Sequence, residues 1–256
     1  MKPVLFSVLF SALLMVGVSS AAPSTAGPKK QQEEVAPAWL VDLSNLPKEE
    51  RARYLSEFAS AKEAFRAGRW VICFTTLQGC EMIFNKNPNV WALMAGCLIE
   101  QQQFDEAEEY VEKVEKAAPG DPVNAVNRAR VYMGRGEYER CIKAIDKLIS
   151  TLPGKYDGEV INVLTYRQVL CHLLLGQRKE AIARVSHLSA MDDTPLFYYS
   201  RVAIALFDGD LRSARRDLSV VRQVFSNNNA YISYERALSQ PGLVDALSGA
   251  NPGLKH

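Results

Sequence analysis

An all-α fold of stacked helical hairpins is predicted by three observations. First, one short segment recurs: Gly68-Arg-Trp70-x-x-Cys73, Gln102-Gln-Phe104-x-x-Ala107, Gly136-Glu-Tyr138-x-x-Cys141, Gly176-Gln-Arg178-x-x-Ala181 and Gly209-Asp-Leu211-x-x-Ala214, at offsets of 34, 34, 40 and 33 residues. A fixed period in this range marks a stack of similar supersecondary units. Second, apolar residues on either side of these segments fall at helical spacing. Third, each segment ends in a small residue, Cys or Ala, that lets two helices approach closely where they cross.

At the N-terminus, Lys2, the apolar run Val4 to Val18 and the small residues Ser19-Ser20-Ala21-Ala22 read as a secretory signal peptide over 1–21, with cleavage expected after Ala21. The run, about 15 residues, is short of the roughly 20 that span a bilayer, so an uncleaved anchor is the weaker alternative. Residues 22–38 are rich in Pro, Ala, Gly and balanced charge, a flexible linker by composition. Trp39, Leu40, Leu43 and Leu46 then form an apolar segment able to fold back onto the first repeat unit, and Pro47 opens a long helix through Phe65.

In Pro88 to Asp121, Trp91, Met94, Ala95 and Leu98 give one helix an apolar face, and Gln101-Gln102-Gln103 is the turn. Phe104, Ala107, Tyr110, Val111 and Val114 line a second helix, closed by Pro119-Gly120. Pro122 to Lys155 repeats the arrangement through Ala125, Ala129 and Tyr132, then Gly136, then Tyr138, Cys141, Ile145 and Leu148. The unit boundaries are about 54–87, 88–121, 122–155, 162–194 and 195–228, within a solenoid of 39–256, and a cap at 230–248 shields the last unit.

This pattern resembles the tetratricopeptide repeat family over about Tyr54 to Ser226. The second unit carries the family's positions as Trp91, Ala95, Leu98, Ala107, Val114 and Pro119. The fourth departs, with Arg178 in place of the usual aromatic and six extra residues within Gly154 to Val160; the fifth lacks the closing proline. The resemblance implies a right-handed superhelical α-solenoid of about five helical hairpins plus a capping helix, with each unit's first helix lining a concave groove. The family's groove positions then fall on Arg130, Met133, Tyr166, Leu170, Leu173, Tyr199, Leu206 and Phe207 in the C-terminal half, a largely apolar row. Ala92, Gly96 and Val123 stand at or near the places where some members clamp a terminal carboxylate with Lys, Asn and Arg. The row suits an amphipathic helix or extended apolar segment of a partner. The Trp39–Leu46 segment or the C-terminal cap could equally fill it.

Chemistry is sparse. His172, His187 and His256 have no metal-ligand spacing, and His172 reads as a packing residue; no metal or cofactor is expected. No nucleophile elbow, zinc-protease or phosphate-loop motif occurs, so an enzyme is not expected. The net charge of +1 lacks the basic excess of nucleic-acid binders. Of five cysteines, Cys73 with Cys97 and Cys141 with Cys171 lie roughly level across helix contacts, which permits two disulfides and leaves Cys80 unpaired; small, buried, free packing residues are the favoured reading of all five. The leader pattern predicts an exported, periplasmic or extracellular protein with no membrane span after cleavage, and the resemblance to exported members of the tetratricopeptide repeat family implies a scaffold with protein partners in the cell envelope. A periplasmic chaperone-like holder of an export client is the alternative. The oligomeric state and the partner's identity stay open at this level.

Overall fold

The computed structural model describes residues 37–151, 158–192, 194–225, 231–240 and 242–251. The expected signal peptide and the linker up to residue 36 lie outside them. Among the described residues there are thirteen α-helices and no strand, and no helix is long and apolar enough to cross a membrane. The chain is all-α, with sequence-adjacent helices packed as hairpins. It divides into two compact units, one ending at Asn124 and one beginning at Ala125.

The N-terminal unit holds α1 (Ala38–Ser44), α2 (Lys48–Arg66), α3 (Trp70–Ile83), α4 (Pro88–Glu100), α5 (Phe104–Ala117) and the start of α6 (Pro122–Gly134). Local chemistry explains the boundaries. Pro88 sits in the first turn of α4, where its missing N–H is no loss, and the Asn87 side chain accepts the Asn89 N–H at 2.9 Å. Helix α5 places Asp105 and Glu106 in its first turn and Lys116 in its last, matching the helix dipole. The turn between α2 and α3 uses Gly68 at φ 72°, whereas the turn before α5 puts Gln102 at φ 60°. A side chain there costs about 1 kcal/mol relative to glycine, so the second hairpin is strained where the sequence departs from its own pattern.

Helix α2 packs on α3, α3 on α4 and α4 on α5. Their shared core includes the fully buried Tyr54, Ala61, Cys73, Leu77, Cys80, Leu93 and Cys97. Helix α1 adds Leu43 to this core, with Trp39 and Leu46 packed against it. The short N-terminal segment thus covers the first hairpin of its own unit.

The C-terminal unit holds the rest of α6, then α7 (Tyr138–Thr151), α8 (Gly158–Leu174), α9 (Arg178–Val185), a single 3-10 turn (Ala190–Asp192), α10 (Pro195–Phe207), α11 (Leu211–Val224), α12 (Ile232–Leu238) and α13 (Leu243–Ala250). Helix α7 packs on α8, α8 on α9 and on α10, and α10 on α11. Thr194 and Asp210 cap α10 and α11, accepting the Leu196 and Ser213 N–H groups at 3.3 and 3.0 Å.

One irregularity of the sequence and one seen only in the structure acquire causes. Arg178, where the other units carry an aromatic or leucine, makes a two-pronged ion pair with Asp208, both bonds at 2.7 Å. It ties the start of α9 to the end of α10 where an aromatic ring would have packed. Helix α9 has only 8 residues against 14 in α7. Past its end, Asp192 accepts both the Ser189 N–H (2.6 Å) and the Ser189 hydroxyl (2.9 Å), a local turn that competes with helix. The expected cap, 230–248, spans two short helices, with the chain in left-handed conformation at Gly242 (φ 76°) immediately before α13.

Candidate partner-binding surface

The eight residues expected to form a groove in the C-terminal half come from α6 (Arg130, Met133), α8 (Tyr166, Leu170, Leu173) and α10 (Tyr199, Leu206, Phe207). Arg130 is half-buried and the other seven are buried. Helices α12 and α13 pack on both α8 and α10. The row on α8 and α10 therefore lies beneath the chain's own C-terminal helices rather than open to solvent.

The centre of this arrangement is aromatic. Tyr234 of α12 stacks on Tyr199 of α10 with ring centroids 5.4 Å apart and lies 5.3 Å from Tyr166 of α8, while Tyr166 and Tyr199 meet edge-on at 5.9 Å. Tyr166, Tyr199 and Tyr234 are fully buried. Burial pushes all three phenols up from their ordinary range, most strongly at Tyr166 and Tyr234. The Tyr166 and Tyr199 hydroxyls have no hydrogen-bond partner. An orphaned buried hydroxyl costs about 1–3 kcal/mol, so the cover supplies apolar contact without the polar complement.

Polar ties hold the cover at its edges. Asn251 Nδ2 donates to the Phe207 carbonyl at 2.8 Å, and the Ser248 hydroxyl donates to the Leu206 carbonyl at 3.2 Å. The Asn251 bond satisfies a carbonyl at the end of α10, whereas the Leu206 carbonyl also accepts the Gly209 N–H at 3.2 Å and the Ser248 hydroxyl is shared with the Val244 carbonyl at 3.2 Å. Arg222 of α11 pairs with Glu235 of α12 at the surface. Tyr234, Ser248 and Asn251 complete the site, and sequence reasoning missed them because they lie beyond the repeat that supplied the register. The one signal available was an aromatic in a segment otherwise suited to a polar cap.

Elsewhere in the C-terminal unit, Met133 Sδ lies 4.0 Å from a guanidinium nitrogen of Arg167, itself buried. His172 bonds through Nδ1 to Gln177 Oε1 at 2.8 Å. All five cysteines are buried and free. Burial, reinforced by Glu57 and Cys73, pushes the Cys80 thiol up to about 12, which makes it a packing group rather than a nucleophile. In the N-terminal unit, Leu55 of α2 remains exposed while Phe65, Ala92, Gly96 and Ile99 are buried.

Comparison with known proteins agrees with this architecture. Residues 75–126 match the tetratricopeptide repeat model. The chain is also 29% identical over 201 residues to the cellulose synthase operon protein C of Pseudomonas fluorescens (strain SBW25), covering 73% of this chain and 16% of that protein. The chain therefore spans only a small part of the relative's length. The match places a tetratricopeptide repeat, a scaffold type built for protein–protein interaction, at residues 75–126, and the helical hairpins of both units are of the kind such repeats form.

Proposed function

We propose that the protein is an exported scaffold of the cell envelope, without catalytic activity of its own, that takes a partner's helix or apolar segment on the α8–α10 row. The observation that carries this reading is the tyrosine cluster. Tyr234 occupies the row as a partner's aromatic anchor would, yet leaves the Tyr166 and Tyr199 hydroxyls without acceptors. An incoming segment with a hydrogen-bond acceptor at that level exchanges one apolar contact for another and recovers two hydrogen bonds. The chain's own helices α12 and α13, of 7 and 8 residues, are short enough to be displaced. Export is supported by the Lys2–Ala22 leader pattern. The relative's name makes a complex concerned with cellulose synthesis the first set of partners to test.

The test is crosslinking and capture from envelope membranes with the full chain and its Tyr234→Ala variant. Loosening the cover should raise recovery of a discrete partner set at fixed stoichiometry, and N-terminal sequencing of the exported protein should begin at Ala22. Unchanged recovery with the variant counts against displacement. Tyr199 and Phe207 are unsuitable targets, since a charge at either fully buried position would disrupt the core.

The second reading, a chaperone-like holder of an export client, keeps one observation: the exposed Leu55, Val71 and Ile72 of the N-terminal unit. A holder would suppress aggregation of an unfolded client and would not retain folded envelope proteins.

A further inference from the structure

Helices α7 and α8 bring two cysteines together. Cys141 lies in the first turn of α7 and Cys171 near the end of α8, and both are completely buried. The Cys141 thiol is the leading influence on the Cys171 thiol, which sets the two side chains next to one another across the packed α7–α8 contact. Independent contacts set the same level: Gln168, three residues before Cys171, donates to the Ile142 carbonyl at 3.3 Å and to Asp146 Oδ1 at 2.9 Å. The Gln168 contacts therefore hold α7 and α8 level around the two cysteines.

We infer that Cys141 and Cys171 form an intramolecular disulfide that staples α7 to α8. The acceptor of the two electrons is a small-molecule disulfide such as oxidised glutathione. One cysteine thiolate attacks a glutathione sulfur and expels one glutathione thiolate. The second cysteine thiolate then attacks the protein sulfur of the mixed disulfide and expels the other. Two protein S–H bonds are lost, one S–S bond forms, and the acceptor leaves as two thiols carrying the two electrons and two protons. Because both sulfurs are buried, exchange proceeds through local opening of the helix contact.

The surroundings make this a structural staple. The adjoining Cys141 thiol and burial push the Cys171 thiol well up, so the reduced form gains no stabilisation from a thiolate. The staple closes the 141–171 loop, which contains the longer connection between Thr151 and Gly158, and it holds whatever partner the protein binds.

The experiment equilibrates the purified full chain with oxidised glutathione under mild denaturant, removes the denaturant, and maps peptides without reduction. The expected result is a cross-linked pair of peptides containing Cys141 and Cys171, two hydrogens lighter than the free peptides. Thermal unfolding should shift up by roughly 5–10 °C, reversed by dithiothreitol and absent in Cys141→Ala, which places at 141 the alanine found at the matching positions 107, 181 and 214. Five free thiols after equilibration would overturn the inference. So would glutathione retained on either cysteine, or a shift that persists in the folded Cys141→Ala variant.

Discussion

The two units bury tyrosine in opposite ways. In the N-terminal unit the Tyr54 hydroxyl accepts from Asn87 Nδ2 at 2.7 Å, and Asn87 in turn caps α4. One side chain from α2 and one from the next hairpin's entrance are satisfied together. In the C-terminal unit the Tyr166 and Tyr199 hydroxyls are buried without partners beneath α12 and α13. Both units carry a short terminal helix on their hairpins, α1 in one and the α12–α13 pair in the other. The difference is that the first lies against an apolar core and the second against an aromatic cluster with unmet polar groups. A cover that leaves such groups unmet is suited to exchange; a core that meets them is suited to permanence.

The largest effect should separate core from cover. Leu93→Ala in the N-terminal core should cost about 2–5 kcal/mol in denaturant unfolding. Leu247→Ala in α13 should cost less and should raise amide exchange chiefly within residues 231–251, as expected for a segment that opens on its own. If Leu247→Ala accelerated exchange throughout the C-terminal unit, the cover would be an inseparable part of the fold.

A smaller effect should differ in sign between the units. Tyr54→Phe leaves the buried Asn87 amide unpaired and should destabilise by about 1–3 kcal/mol. Tyr199→Phe removes a hydroxyl that has no partner and should be neutral or stabilising by about 1 kcal/mol. Chemical denaturation of the two variants measures this directly, and equal losses would erase the contrast.

The smallest effect concerns pH. Asp146, hydrogen-bonded first by Arg184 and also by Gln168, is held below the ordinary carboxylate range. Its ionised form stabilises the fold above that range, and this contribution is lost as pH falls through the lowered value. Asp121, in the N-terminal unit, is pushed up by burial although it accepts the Asn124 N–H at 2.7 Å. Its stabilisation has the opposite sign: present at low pH, and lost as pH rises through the raised value. Between about pH 2 and 6, Asp146→Asn should therefore flatten the acid-side loss of thermal stability, whereas Asp121→Asn should steepen it. The same slope in both variants would contradict the assignment.

Much of the fold was legible residue by residue. Gly68, Gly136, Gly176 and Gly209 recur at the turns and all adopt positive φ, because only a left-handed residue reverses the chain there without strain. Cys73, Ala107, Cys141 and Ala181, all fully buried, recur where the helices meet. Arg178 read as a departure because its partner, Asp208, lies 30 residues away and outside any local pattern. The shortness of α9 was hidden for a related reason, since the Ser189–Asp192 turn after it looks like ordinary polar sequence.

By itself the sequence determined the all-α hairpin architecture and the turn positions. These depend on periodicity and residue size, which repeat along the chain. Only the tertiary structure decided that the apolar row on α8 and α10 is covered, and that Tyr234 completes its centre. A row of aromatics at helical spacing is the same whether it faces a partner or the chain's own end. Which of the two it meets depends on contacts between distant residues, and no local propensity encodes them.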